Sequence, residues 1–217
     1  MNPIGIFGGT FDPIHFGHLR LAQEAATGLA LHQVRFIPAG EPWQRDAPRA
    51  SAQQRLEMAK LACAGNPHFV VDDRELRRPG PSYTVDTLTE LRAELGADQP
   101  LCLLLGADAF LGLASWHRWQ EIFNLAHIAV AHRPGFAQAS WAGSMPPALQ
   151  QALAARQTVD PSALAKAPAG QILTYPLTPL DISASRIRND LQQNKSPRYL
   201  VPDAILNYIS QNKLYSE

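Results

Sequence analysis

Short apolar runs alternate with segments of helical period along most of the chain, and this alternation restricts the fold more than any other feature. Ile4-Gly5-Ile6-Phe7 is a run of strand length that ends on Gly8-Gly9. After the break at Pro13, Leu19, Ala22, Ala25, Ala26 and Leu29 fall on one stripe of a helix. Strand-like runs recur at 34–37, 68–71, 101–105, 128–131 and 171–175. Helical patterns occupy 53–64, 84–95, 148–156 and 184–193, and a final helix opens at Pro202 and runs to about 213. Such alternation predicts βαβ units with right-handed crossovers, hence an α/β fold with a doubly wound, mostly parallel sheet. A single domain is expected over 1–217, with a small helical appendage over about 184–217. A ligand in such a fold sits beyond the carboxyl ends of the strands, where the strand order reverses.

Composition narrows the partners. Hydrophobic residues make up 46% of the 217 and charged residues 18%, enough apolar material for a large core and too little charge for a disordered chain. Lys+Arg and Asp+Glu stand at 19 each, so no global positive field gathers nucleic acid or anionic lipid. The longest apolar stretch, 101–107, is far shorter than the roughly 18 residues of a membrane span, and Met1-Asn2-Pro3 opens no leader pattern. A cytoplasmic protein is expected. Cys63 and Cys102 lie in apolar segments and belong to no C-x-x-C pair, which predicts two buried free thiols in a reducing compartment. The stretch 134–147, rich in Gly, Ser, Ala and Pro, is expected to be a loop.

The strongest chemistry follows the first strand, in Gly8-Gly9-Thr10-Phe11-Asp12-Pro13-Ile14-His15-Phe16-Gly17-His18. Glycines directly after a strand let backbone approach a ligand, and the following helix N-terminus offers unpaired N–H groups to an anion. His15 and His18, three residues apart, share one face of a helix entry, and Gly17 leaves room beside them. Three readings of the pair stand side by side: core histidines, metal ligands, or donors to phosphate oxygens. The metal reading lacks a third ligand at a recognisable spacing. Neither Gly-x-Gly-x-x-Gly nor Gly-Lys-Ser/Thr occurs, which argues against a nicotinamide-dependent oxidoreductase and against a P-loop. The whole block resembles the signature of the nucleotidyltransferase superfamily that bears an H-x-G-H motif, and its Rossmann-like fold is the one this resemblance implies.

Asp181-Ile182-Ser183-Ala184-Ser185-Arg186-Ile187-Arg188 precedes the 184–193 helix, with Ser183 as candidate N-cap. Arginines in a first turn oppose the helix dipole by roughly 0.3–1 kcal/mol each. Arg186, Arg188, two hydroxyls and free amides therefore suggest an external polyanion, the alternative being arginines that simply point into solvent. The segment resembles the Ile-Ser-x-Thr-x-Ile-Arg motif of the same superfamily, with Ser185 where Thr is usual. That resemblance assigns the triphosphate of ATP to Ser183, Ser185, Arg186 and Arg188.

Four further blocks bear on the acceptor. Pro81-Ser82-Tyr83-Thr84-Val85-Asp86-Thr87-Leu88 runs from a turn into a helix, with Thr84 as candidate N-cap and an amide-lined end that favours an anionic ligand group. Asp86 can itself neutralise part of that dipole, and bland capping is the other reading of the two threonines. Gly106-Ala107-Asp108 follows a buried strand; Trp116-His117-Arg118-Trp119 and His132-Arg133-Pro134-Gly135 come after it. Trp116, among polar residues, can stack on a flat cationic ring. Together these blocks resemble the bacterial nicotinate mononucleotide adenylyltransferases, from Ile4 to Leu214-Tyr215. The resemblance implies ATP contacts from Gly8, Gly9, Thr10, Phe11, His15, His18, Gly106 and Asp108, catalysis by His15 and His18, and acceptor contacts from Tyr83, Thr84, Trp116 and Arg133. Glu41-Pro42-Trp43-Gln44-Arg45 departs from the family's Pro-Pro-His-Lys-like run, and Arg45 is the candidate replacement cation. Mg2+ is expected mainly on ATP phosphates, with Asp12 at most a contact through water. A nucleotide-sensing module without catalysis is the reading of a different class.

Overall fold

The structure is a computed structural model that describes residues 1–43, 47–132, 141, 145–176, 178 and 180–216. Its strands are β1 (Ile4–Gly9), β2 (Gln33–Pro38), β3 (Phe69–Val71), β4 (Leu101–Gly106), β5 (His127–His132), β6 (Gln157–Thr158) and β7 (Ile172–Pro176). Its α-helices are α1 (Phe16–Gly28), α2 (Ala52–Cys63), α3 (Arg74–Arg77), α4 (Thr84–Leu95), α5 (Ala107–Leu111), α6 (Ile122–Leu125), α7 (Pro147–Arg156), α8 (Ala184–Gln192) and α9 (Asp203–Gln211). The strands form one sheet in the order β3-β2-β1-β4-β5-β7-β6, so the order reverses between β1 and β4. From β1 onward the neighbouring pairs run parallel. This is the doubly wound parallel sheet expected from the alternating runs and the Rossmann-like architecture the resemblance implied, and the buried apolar runs of β1, β4 and β5 suit a sheet covered on both faces.

The residues pack as two compact units. The first comprises Met1–Phe7, Glu24–Val34 and Tyr83–Pro179. In its sheet Ile4 and Ile6 lie beside Leu101 and Leu103, and Leu103 and Leu105 beside Ile128 and Val130. Gly5 is glycine because a Cβ there would stand 2.8 Å from the Leu31 side chain. Val85, Leu88 and Leu91, on one stripe of α4, are buried, and Arg92 on the same helix fixes the carbonyls of Leu125 and Pro168. Cys102 is buried and free, and burial pushes its thiol up to about 12.

The second unit comprises Gly8–Gln23, Arg35–Ser82 and Leu180–Glu217. Here α2 starts on a full capping box, Ser51 with Gln54, one residue earlier than its apolar pattern suggests. Its buried face carries Leu56, Met58, Ala59 and Cys63, together with Arg55. Cys63 is likewise free and buried, its thiol pushed up to about 12. Pro202, expected as the first residue of the last helix, is its N-cap, and the helix ends at Gln211. Among the described residues no helix is long and apolar enough to cross a membrane.

Candidate functional site

In the second unit the chain leaves β1 through Gly8 and Gly9. A Cβ on Gly8 would meet nothing within 4 Å, whereas on Gly9 it would lie 2.7 Å from the Phe11 ring. Phe11 folds back over Gly9 with φ 52°, a left-handed conformation that costs a non-glycine residue roughly 1–2 kcal/mol. The ring is buried and meets His18 edge-on, centroids 5.1 Å apart. The Asp12–Pro13 peptide bond is cis.

His15 directly precedes α1, and its carbonyl accepts from the amides of His18 and Leu19. The His15 and His18 imidazoles stack, centroids 3.7 Å apart and planes 20° apart, so the predicted shared face exists. Gly17 permits it, because a Cβ there would lie 3.0 Å from two atoms of the His15 ring. The His15 amide donates to His18 Nδ1 at 3.3 Å, so Nδ1 is the accepting nitrogen of that ring. His15 is 5% exposed, and burial pulls its pKa down to about 4. It is therefore neutral at physiological pH. Its Nδ1 is buried with no hydrogen-bond partner in the protein, a group that a ligand can satisfy.

Ser183 caps α8 as expected: its Oγ accepts from the Arg186 amide at 3.2 Å. Ser185 and Arg186 are exposed on the first turn. Arg188 does more than face solvent. Its Nη1 donates to the Asp12 carbonyl at 2.6 Å and its Nη2 to Ser185 Oγ at 3.3 Å, which joins the two motifs through one guanidinium. Asp12 is 5% exposed and its carboxylate accepts from Arg49 N, Ala50 N and the Tyr215 hydroxyl, with Arg188 Nη1 3.7 Å away. No three His, Cys, Asp or Glu side chains among the described residues stand close enough to hold a metal ion.

Arg55, which the sequence reading passed over, holds this turn from beneath. It is 1% exposed and donates to the carbonyls of Thr10 (2.8 Å), Gly40 (3.0 Å) and Ala50 (3.3 Å). Burial lowers its pKa, and the charges of Asp12 and Glu75 push the other way. The signal was available: an arginine on the stripe of Met58 and Ala59 is a cation placed where a helix faces the core. Tyr215 carried no such signal, since no local pattern points a residue after α9 at the first turn.

The first unit holds the remaining described candidates. Thr84 is not the cap of α4: Tyr83, in extended conformation, takes that place without a side-chain hydrogen bond, and Thr84 is the first helical residue. The reason is local, because Thr87 Oγ1 donates to the Tyr83 carbonyl and the first-turn amides find no hydroxyl in front of them. The Tyr83 ring lies 4.3 Å from that of His117, a partner the sequence did not suggest. Asp86 stands 3.6 Å from Arg118, which also binds Glu121. Trp116 is half-buried, Gly106 is the N-cap of α5, and Asp108 is exposed in its first turn. Arg45 and Arg133 lie outside the described residues.

Comparison with known proteins identifies the family. The sequence pattern of the cytidylyltransferase-like family matches residues 6–190. A protein of Dechloromonas aromatica named probable nicotinate-nucleotide adenylyltransferase is 53% identical over 98% of this chain and 97% of its own length. One of Pseudomonas fluorescens with the same name is 52% identical over 98% and 96%. Among solved structures, nicotinic acid mononucleotide adenylyltransferase of Plasmodium falciparum, complexed with NaAD, superposes with a TM-score of 0.74 over 99% of this chain and 98% of that one. At 17% identity that likeness speaks for the fold. With the H-x-G-H turn, the capped arginine helix and identity above one half over almost the entire length, this chain belongs to the cytidylyltransferase-like family and, within it, to the nicotinate-nucleotide adenylyltransferases.

Proposed function

We infer that this chain transfers the adenylyl group of ATP to nicotinate mononucleotide, giving nicotinate adenine dinucleotide and pyrophosphate on the route to NAD. The observation that carries this reading is the stacked His15–His18 pair at the entry of α1, one ring with a buried, unpartnered Nδ1. The neutral His15 imidazole beside a helix N-terminus offers one N–H to phosphate oxygens and is a poor general acid, since it lacks the second proton near neutral pH.

The mononucleotide's 5′-phosphate is already ionised near neutral pH, its second pKa being about 6. It attacks the α-phosphorus in line, the bond to the bridging oxygen breaks, and pyrophosphate leaves. No general base and no covalent residue are needed. Alignment and stabilisation of charge on the phosphorus oxygens supply the rate. In this reading His15 and His18 hold the α-phosphate, and the backbone of Gly8, Gly9, Thr10 and Phe11 lies along the same group. Ser183, Ser185, Arg186 and Arg188 receive the departing pyrophosphate at the start of α8. Gly106 and Asp108 take the adenosine, and Arg45 and Arg133 are assigned to the acceptor's phosphate and ribose. Tyr83, Thr84 and Trp116 receive the pyridine ring, and the uncapped amides at the start of α4 suit its carboxylate.

Nucleotidyltransferases of this kind generally use a divalent metal ion. Magnesium is our assignment; it would be carried mainly on the ATP phosphates and would neutralise charge on the triphosphate. A cytoplasmic location belongs to the same reading, supported by two buried free thiols.

Steady-state pyrophosphate release from ATP and nicotinate mononucleotide tests the role of the pair. His18→Ala should lower kcat by roughly 10²–10³-fold, the scale of one lost charge-stabilising donor, with protein that melts like the parent. Near-parental kcat in that variant removes His18 from the chemistry.

A further inference from the structure

We propose that Tyr215 is a positioning residue for ATP: through the Asp12 carboxylate, its hydroxyl fixes the Arg188 guanidinium that links the two phosphate-binding segments. The inference rests on the adenylyltransferase reading above and adds a residue that neither motif contains.

Asp12 stands at the centre of the chain of contacts. Its Oδ1 accepts from Tyr215 Oη at 2.6 Å and from Ala50 N at 3.1 Å; its Oδ2 accepts from Arg49 N at 2.9 Å. On the other side, Arg188 Nη1 donates to the Asp12 carbonyl at 2.6 Å and lies 3.7 Å from Oδ2, while Nη2 reaches Ser185 Oγ. The carboxylate thus has a fixed rotation, and the guanidinium reads that rotation. Two of its three hydrogen-bond donors are amides of the loop before α2, while Arg188 faces it as an ion-pair partner at 3.7 Å. Tyr215 supplies the remaining one, across 203 residues of sequence.

The conformation of the segment after α9 shows that this contact is specifically built. Tyr215 adopts φ 65° and Lys213 φ 50°, both left-handed, and the Tyr215 side chain is buried to 6% exposure. A tyrosine held there against its backbone preference places its hydroxyl on a carboxylate in the turn that binds phosphate. Burial and the neighbouring Asp12 charge push the phenol pKa well up, so the hydroxyl keeps its proton and acts only as a donor. A bond from a neutral donor to a buried carboxylate is among the stronger ones in a protein. Its loss leaves Oδ1 with the Ala50 amide alone and loosens the carboxylate that Arg188 Nη1 faces.

A double-mutant cycle separates this role from plain packing. Tyr215→Phe, Arg188→Ala and the double variant of the full chain are assayed by pyrophosphate release, with ATP and nicotinate mononucleotide varied in turn. Tyr215→Phe should raise KM for ATP roughly 5–20-fold and leave KM for the mononucleotide within about twofold. In the Arg188→Ala background the same change should add less than about twofold. KM does not depend on how much of the preparation is folded, so a less stable variant still reports. An unaltered KM for ATP, an equal rise in both KM values, or the full effect persisting in Arg188→Ala would each overturn the proposal. Parental chain that releases no pyrophosphate contradicts the adenylyltransferase reading instead; ATP titration of all four proteins, followed by intrinsic fluorescence, then tests the Tyr215 link by itself.

Discussion

His15 is where chemistry and stability meet in one residue. Its ring is buried over Gly17 and its pKa falls from 6.5 to about 4, with burial as the main cause. Between those two values the unfolded chain binds a proton that the folded chain refuses, so stability rises with pH across that window and is lost as pH falls through it. From pH 7 to pH 5 this one group costs about 2 kcal/mol. Urea denaturation at the two pH values should show His15→Asn losing less stability on acidification by about that amount. His127, also shifted down by burial, keeps its own share of the loss in both proteins. An identical loss in parent and variant would mean that His15 titrates normally.

The elements show what a sequence can and cannot announce. Ser183 was legible as a cap because a hydroxyl precedes a helical pattern, and its Oγ does receive the Arg186 amide. Ser183→Ala should therefore cost about 1 kcal/mol of stability. With the end of α8 frayed, KM for ATP should also rise while KM for the mononucleotide stays constant; thermal melts and initial rates check the two halves, and an unaffected ATP dependence would detach this helix end from the triphosphate. The six longest strands and the helices α1, α2, α4, α7, α8 and α9 were visible as apolar periodicity, with ends displaced by a residue or two. The four- and five-residue helices α3, α5 and α6 and the two-residue β6 are too short to establish any period, and packing alone decides them. Thr84 failed as a cap for a related reason. Hydroxyl position is a statistical preference, and here Tyr83, in extended conformation, takes the cap position without a side-chain hydrogen bond. Side chains that act across long sequence separations were the hidden part of the site: Arg55 on Thr10, Arg188 on Asp12, and Tyr215 on Asp12. At Asp12 the sequence shows a charge and not the amides of Arg49 and Ala50 that donate to it.

For the whole molecule, a mostly parallel sheet was implied by the alternation of strands and helices, because parallel strands need helical crossovers, whereas the strand order and the place of its reversal, between β1 and β4, are shown by the structure. What the alternation could not supply is the acceptor, which is a property of side chains and helix ends grafted on a common fold. The uncapped start of α4 beside Tyr83 favours a carboxylate over a carboxamide on the ring, since an anion gains from free amides what a neutral group does not. A competition in one vessel settles this most directly: ATP labelled on its α-phosphate is given equal amounts of nicotinate mononucleotide, nicotinamide mononucleotide and phosphopantetheine, and the labelled products are separated. The label should appear predominantly in nicotinate adenine dinucleotide, with pyrophosphate released unlabelled. Equal labelling of the two pyridine dinucleotides, or label in dephospho-coenzyme A, would contradict the account.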